Sequence, residues 1–163
     1  MENVTKKENL LIAFILIAVW FRLIPHPPNF TPVTSLALFS GLMFQKRWLS
    51  ILVPLVAMFI SDMVLGFGII SLWVYSAFIM ITMLGWILNQ MNVKSILLSS
   101  LIFFIVSNFG VWVMDYPHTI QGLTMCYTLA IPFFGYSIIG DLFWGFIIKY
   151  SYKFMESKFL KFV

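Results

Sequence analysis

Six apolar segments separated by short polar gaps fill most of this sequence, and they constrain the fold more than any other feature. In the first segment, fourteen of the fifteen residues from Leu10 to Ile24 are apolar, and Arg22 is the exception. Hydrophobic residues make up 61% of the chain and charged residues 10%, whereas a typical soluble domain has about 25% charged residues. A water-soluble fold of 163 residues could not bury so much apolar surface. The sequence therefore predicts one integral membrane domain over residues 1–163, built entirely from α-helices.

Prolines and polar turns divide the chain into six predicted transmembrane helices. The Pro25–Pro28 stretch ends the first helix, because proline lacks an N–H and restrains the residue before it. Thr31 and Pro32 are typical of a helix cap followed by proline at the first helical position. Because Pro132 is expected to begin the last helix, Gln121–Ile131 is predicted to be an extra half-helix at or in the membrane surface. The predicted spans are about 9–24, 32–44, 48–61, 69–88, 95–114 and 132–150.

The positions of the cations predict the orientation of these helices. With six spans, Arg22 is the one cation on the outer side, and both termini lie with the other nine cations in the cytoplasm, as expected for a protein of a cell's inner membrane. The first three helices have only about 13–16 apolar residues, fewer than the about 20 that a perpendicular span needs. We nevertheless favour six spans over four or five, because removing one would mix the charges. The nine cytoplasmic cations are Lys6, Lys7, Lys46, Arg47, Lys94, Lys149, Lys153, Lys158 and Lys161.

Several functional classes are disfavoured by the sequence. The cations lie in gaps between apolar runs and not in one basic patch, so nucleic-acid binding is not expected. The single cysteine, Cys126, excludes an internal disulfide and a Cys-rich metal site. No HExxH, GxSxG, P-loop or CxxC pattern occurs. We therefore predict no metal site and no cofactor, and expect membrane lipid and a small-molecule substrate as partners.

Polar side chains concentrate at the outer helix ends and in the outer loops of this topology. Ionisable groups at membrane depth are costly and usually face the bundle interior or a wet cavity. An outward-facing binding cavity is therefore predicted. Its candidate substrate-binding residues are Arg22, His26, Asn29, Asp62, Trp73, Asn108, Trp112, Asp115, His118, Gln121 and Tyr127.

The clearest pattern among them lies on the fifth helix. Asn108, Trp112 and Asp115 are spaced i, i+4 and i+7, which places them on one face. An amide, a large aromatic ring and a carboxylate together suit a flat heterocyclic ligand. The alternative is that Asn108 bonds a neighbouring helix and Trp112 anchors the membrane interface.

Two charged residues inside helices have more than one interpretation. Arg22 needs a partner at its depth, and Asp62 or Asp115 could supply one. The pair would clamp two helices together, or Arg22 would bind an anionic group of a ligand. Asp141 lies in the middle of the sixth helix, where a carboxylate is costly. It is expected to be protonated, bonded to another helix, or part of a proton or coupling route.

Small residues predict close helix contacts. Ala37 with Gly41, and Gly140 with Gly145, allow helices to approach each other. The Ala37/Gly41 pair either packs inside the bundle or forms a surface for a partner protein. Cys126 is typical of a small buried hydrophobe, with nucleophile or metal ligand as the alternative.

Four stretches of the sequence carry a resemblance to a known group. They are Arg22-Leu-Ile-Pro-His-Pro-Pro-Asn-Phe-Thr-Pro-Val33, Leu36-Ala-Leu-Phe-Ser-Gly41, Ser61-Asp62 with Leu65-Gly-Phe67, and Cys126-Tyr127 through Ile131-Pro-Phe-Phe134 to Gly140-Asp141. The chain resembles an uncharacterised family of small bacterial membrane proteins, which is itself similar to the S components of energy-coupling-factor (ECF) vitamin transporters. The resemblance covers nearly the whole chain.

The resemblance implies a six-helix, S-component-like fold that binds a vitamin or related micronutrient for uptake, not an enzyme. It implies an outer site formed by helices 4–6 and the outer loops. S components commonly dock to an energising module through an Ala-x-x-x-Ala motif on the first helix, whereas Ala13 and Ala18 are five residues apart here. A solitary protein or a different coupling surface is therefore an alternative. The other functions considered are a structural scaffold of the cell envelope and a membrane enzyme using Cys126 or the Asp115/His118 pair.

Overall fold

The structure, a computed structural model, describes residues 2–88 and 90–157. Within these residues the chain forms six α-helices and no β-strand, which confirms the predicted all-α architecture. The helices are α1 (Glu2–Leu23), α2 (Val33–Met43), α3 (Arg47–Leu65), α4 (Ser71–Ile87), α5 (Val93–Asp115) and α6 (Ile120–Met155).

Three of the helices are long and apolar enough to cross a membrane, namely α3, α5 and α6. The prediction had α3 short and α4 long, and both lengths are wrong. Helix α3 has 19 residues because Asp62 and the three residues after it, expected beyond the end of the helix, continue it to Leu65. It ends at Gly66, whose φ of 91° few other residues adopt without strain. Helix α4 has 17 residues and begins at Ser71.

The last helix differs most from the prediction. Gln121–Ile131 is not a separate half-helix but the first third of α6, which continues through Pro132 for 36 residues. Proline removes one backbone hydrogen bond inside a helix, and long membrane-type helices tolerate this where neighbouring groups compensate. The true start is set by Thr119, whose side chain accepts a hydrogen bond from the Gly122 N–H at 3.1 Å. The predicted cap of α2 is also displaced, since Pro32 occupies the cap position and no side chain bonds there.

Side-chain hydrogen bonds define two ends of the bundle. At one end the Ser40 hydroxyl donates to the Ser50 carbonyl at 2.8 Å, and the Trp86 indole donates to the Ser50 hydroxyl at 2.9 Å. These bonds join the end of α2, the start of α3 and the end of α4, so the three helices alternate in direction. We call this the basic end, and the opposite end, where α1 and α3 finish, the distal end. The cations toward the basic end include Lys46, Arg47, Lys94, Lys149 and Lys153. Lys158 and Lys161 lie outside the described residues.

Helix α2 lies at the centre of the bundle. Nine of its eleven residues are buried, and it contacts each of the other five helices. Gly41 makes its closest contact with α4: a Cβ atom built there would lie 2.2 Å from the Thr82 carbonyl oxygen and 3.0 Å from the Gly85 Cα. Ala37 is fully buried. The Ala37/Gly41 pair therefore packs inside the bundle, as the first of its two interpretations predicted.

Candidate functional site

A cavity of about 190 Å³ lies between α4, α5 and α6 toward the distal end. Aromatic rings form much of its wall, and the rings of Phe104 and Phe134 stack with their centroids 4.5 Å apart. None of the residues that line it is ionisable. The lining residues are Asn29, Ile70, Val74, Phe103, Phe104, Ser107, Asn108, Val111, Ala130, Phe133, Phe134 and Ser137.

The loop between α1 and α2 brings Asn29 to this cavity. Asn29 has a φ of 61°, a left-handed conformation that asparagine tolerates better than most residues. The next residue, Phe30, packs against α6, where a Cβ atom on Gly140 would lie 3.0 Å from the Phe30 Cα. The Phe30 ring also lies 5.6 Å from that of Phe143. Gly140 thus lets the loop sit directly on α6, which fixes the position of Asn29.

The cavity contains amide groups with unused hydrogen-bonding capacity. The Asn108 side-chain N–H donates to the Phe104 carbonyl of its own helix at 2.8 Å, and its amide oxygen accepts no bond from the described residues. The Asn29 side chain makes no hydrogen bond within the described part of the chain. The hydroxyls of Ser107 and Ser137 donate to carbonyls one turn earlier on their own helices. The cavity therefore offers a ligand one free amide, one free amide oxygen and the lone pairs of two hydroxyls.

The predicted stripe on α5 divides between this cavity and the neighbouring loop. Asn108 lines the cavity, but Trp112 and Asp115 do not. The Trp112 indole donates to the Pro117 carbonyl at 3.1 Å, and its ring lies 5.4 Å from that of His118. Asp115 is exposed. Trp112 thus closes the α5–α6 turn and does not face the cavity.

Apart from Asn29, the other predicted binding residues also lie outside the cavity. His26 is bonded to the Pro27 carbonyl at 2.8 Å, and His118 to the Val113 carbonyl at 2.9 Å. Gln121 is exposed at the start of α6. The Trp73 ring packs on α5, where a Cβ atom on Gly110 would lie 2.3 Å away. The Tyr127 hydroxyl donates to the Ile105 carbonyl at 2.7 Å, which joins α6 to α5 behind the cavity wall.

Arg22 and Asp62 form a salt bridge at the distal end, with Nη1 and Oδ1 2.8 Å apart. The same nitrogen donates to the Ser61 hydroxyl and to the Met58 carbonyl. The second carboxylate oxygen of Asp62 accepts a bond of 2.9 Å from the Tyr75 hydroxyl. One charge pair therefore connects α1, α3 and α4. Of the two partners proposed for Arg22, the structure selects Asp62 over Asp115.

Asp141 is buried in the middle of α6, with 1% of its surface exposed. Its Oδ2 accepts a bond of 2.6 Å from the Ser100 hydroxyl of α5, and its backbone carbonyl accepts one of 2.8 Å from the Ser35 hydroxyl of α2. Its Oδ1 accepts no hydrogen bond that meets normal geometry from the described residues, and no described cation forms an ion pair with it. The prediction that Asp141 bonds another helix is confirmed. It lies one turn from Ser137, which lines the cavity.

Substituting asparagine for Asp141 is expected to leave the thermal unfolding midpoint unchanged or raised, because an amide of the same shape removes an ionisable group from an apolar interior. Asp62→Asn, the same change at a paired carboxylate, should lower the midpoint. Unfolding of both purified variants in detergent measures this. An equal loss in both would mean that a cation holds Asp141.

Cys126 is buried, and its thiol lies 3.5 Å from the Asn108 carbonyl. This is the environment of a small core residue. The Asp115 and His118 side chains share no hydrogen bond in the described structure. Among the described residues, no group of three or more His, Cys, Asp or Glu side chains is placed to hold a metal ion.

The aromatic wall of the cavity was absent from the sequence prediction. The sequence pattern that could have predicted this wall is the helical spacing of four residues on one face of α5. They are Phe104, Ser107, Asn108 and Val111. The prediction followed the stripe from Asn108 toward the helix end, because ionisable groups lie there. The side of the same stripe that faces α6 carries phenylalanine. Because phenylalanine is common in any apolar helix, it does not mark this side as a binding site.

Comparison with known families places the chain in one of them. Residues 2–162 match a family described as a family of unknown function (DUF6580). The chain belongs to this family. No curated protein and no solved structure matches it. The matched region of this DUF6580 protein includes the cavity, the Arg22–Asp62 pair and Asp141.

Proposed function

We propose that this DUF6580 protein is an integral membrane protein that binds a small, flat, uncharged molecule in the cavity between α4, α5 and α6. We further propose that the molecule is a vitamin or related micronutrient, and that binding serves its uptake. The observation that carries the proposal is the cavity itself. It has aromatic walls, amide groups with free hydrogen-bonding capacity at Asn29 and Asn108, and no ionisable lining residue.

The exposed surface supports a membrane location. Large apolar side chains are exposed on most helices, and Leu72, Ile87 and Ile120 each expose more than three quarters of their surface. Water-soluble monomers rarely expose apolar surface on this scale, whereas lipid covers it without cost. The cations at the basic end support an orientation with that end in the cytoplasm of an inner membrane. The cavity then opens toward the outer side.

The size and polarity of the cavity restrict its ligand. An apolar protein cavity of about 150 Å³ accepts benzene, so a cavity of about 190 Å³ fits a molecule of one or two rings. Rings of this kind stack on or meet the edges of phenylalanine side chains. The amides at the rim would recognise hydrogen-bonding groups on the edge of the ring. A charged ligand is disfavoured, because no lining side chain could pair with it.

The resemblance of the sequence to S components is the ground on which we propose uptake as the biological role. In that arrangement the substrate enters from the distal end and an energising module drives its release on the other side. The missing Ala-x-x-x-Ala motif on α1 favours a protein that acts alone or couples through another surface. Co-purification of an energising subunit from native membranes is the measurement that separates these two arrangements.

A structural scaffold is the second candidate function, and the fully bonded Arg22–Asp62 pair favours it. Both charges are satisfied within the protein, as a scaffold requires and as a ligand-binding pair does not. The cavity argues for ligand binding instead, because a scaffold gains nothing from a space that is lined by free amides. The two functions predict opposite results in one experiment.

Asn108→Leu and Phe134→Ala are expected to lower ligand retention about ten-fold, the cost of leaving a ligand's polar group unpaired or its ring without a stacking partner. Small molecules extracted from the purified variants and from the wild type, and identified by mass spectrometry, measure this. Uptake of the identified molecule is then compared between wild-type and deletion strains.

Tyr136→Ala is the matched control, since this ring lies on α6 near Phe134 but is exposed and outside the cavity. It should retain ligand as the wild type does. If no small molecule accompanies the wild-type protein reproducibly, the binding function is wrong and the scaffold remains. If a molecule is identified but its uptake is unchanged in the deletion strain, the uptake role is wrong.

A further inference from the structure

A second cavity, of about 320 Å³, lies at the basic end between α2 and α6. Its α2 side is apolar and includes Phe39 and Met43. The connection between α4 and α5 closes it with Met91, which is buried. This cavity is separate from the one between α4, α5 and α6, and it shares no lining residue with it.

The α6 side of this basic-end cavity carries two lysines that form no ion pair within the described part of the chain. Lys149 and Lys153 lie four residues apart, so their ammonium groups project from the same face on successive turns. Neither forms an ion pair with a described residue, and Glu156, which also lines the cavity, forms no salt bridge with either. Two like charges at this spacing repel each other. An anion between them would remove the repulsion and pair both.

The lining of this cavity combines apolar and polar side chains. Phe39 is buried, and the ring of Tyr152 meets it edge-on at 5.2 Å. Lys153 and Gln90 are exposed, and Lys149 is half-buried. Inorganic phosphate would use only the charged part, whereas a phospholipid would place its phosphate on the ammonium groups and its glycerol and first methylenes against Phe39 and Met43. The amphipathic lining therefore favours a lipid over a free anion.

We propose that the basic-end cavity binds the phosphate group of an anionic membrane phospholipid through Lys149 and Lys153. Basic pockets between transmembrane helices on the cytoplasmic side are suited to such headgroups. The site would hold a lipid of the inner leaflet against α2 and α6. The proposal rests on the membrane location proposed above, but not on the ligand of the cavity between α4, α5 and α6.

Native mass spectrometry of the full chain, purified in detergent and mixed with phosphatidylglycerol, phosphatidylcholine or inorganic phosphate, tests the site. The wild type should retain phosphatidylglycerol in preference to phosphatidylcholine. Lys149→Ala/Lys153→Ala should lower this retention about five-fold for each lysine removed, as expected for a cation at a lipid headgroup. Glu156→Gln should raise it, since a carboxylate near the phosphate is lost.

Lys46→Ala/Lys94→Ala is the matched control, because it removes the same charge from the same end outside the cavity. An equal loss in both double variants, or equal retention of the two lipids, would overturn the proposal. Displacement of phosphatidylglycerol by inorganic phosphate at low millimolar concentration would assign the site to a free anion and overturn the proposal too.

If the double variant does not fold, Lys153→Ala alone replaces it, since this lysine is exposed. Asn108→Leu should bind lipid normally, which separates this test from that of the other cavity.

Discussion

Replacing Asp62 by leucine is expected to lower the free energy of unfolding by about 3 kcal/mol, the typical cost of removing one partner of a buried ion pair. Asp62 is 4% exposed, and its loss leaves the Arg22 guanidinium with only the Ser61 hydroxyl and the Met58 carbonyl. It also leaves the Tyr75 hydroxyl without its acceptor. Unfolding of the purified variant in mixed micelles, followed by tryptophan fluorescence, measures the change.

The double variant Arg22→Leu/Asp62→Leu separates a charge effect from a packing effect. Replacing both partners of a buried pair by apolar residues is often neutral or stabilising. It should therefore recover most of the stability lost in Asp62→Leu. Asp115→Leu serves as the control, because this carboxylate is exposed and should change stability by less than about 0.5 kcal/mol. A double variant as unstable as Asp62→Leu would contradict the conclusion that the Arg22–Asp62 pair stabilises the bundle through its charges.

Substitution of Arg22 also distinguishes the two interpretations of this residue that the sequence left open. If Arg22 holds helices together, its substitution lowers stability and ligand retention falls only as folded protein is lost. If it binds a ligand, retention falls while the unfolding midpoint stays near that of the wild type. Measuring both quantities on Arg22→Leu gives the answer, and the bonded geometry of the pair favours the first outcome.

Much of the fold could be predicted because the physical signals are strong and local. Apolar runs of helical length separated by polar gaps predict helices directly, and six were found in the described residues. The sequence also predicted that Arg22 needs a carboxylate at its depth. It could not choose between Asp62 and Asp115, because that choice depends on which helix lies beside α1.

The errors arose where tertiary contacts override local signals. Pro132 is a strong local signal for a helix start, yet α6 passes through it. Trp112 follows Asn108 on one face of α5, yet its indole turns to the Pro117 carbonyl five residues later. Neither outcome follows from periodicity, because each depends on how the α5–α6 connection closes. The position of Asn29 over the cavity likewise depends on the contact between Phe30 and Gly140.

The crossing of α2 and α4 gives the second large expected effect. Gly41→Ala and Gly85→Ala should each lower the free energy of unfolding by about 1–3 kcal/mol, as overpacking does in a close-packed interior. A Cβ atom on Gly85 would lie 2.7 Å from the Leu38 carbonyl oxygen and 2.8 Å from the Gly41 Cα. Backbone atoms cannot rotate away as a side chain can, so the two helices must separate. Gly41→Val should have a larger effect, measured as the yield of folded protein.

Gly135→Ala is the matched control. It makes the same substitution in a helix, but no atom lies within 4 Å of the added Cβ. There the loss of glycine's backbone freedom should stabilise the protein by about 0.5–1 kcal/mol. Opposite signs of the stability change at Gly41 and Gly135 would locate the effect in the helix crossing and not in helix propensity.

Because α2 contacts all five other helices, separating it from α4 displaces α4, which forms one wall of the ligand cavity through Val74. Gly41→Ala should therefore weaken ligand retention although Gly41 lies outside that cavity, and retention equal to the wild type would show that the α4 wall does not depend on this crossing.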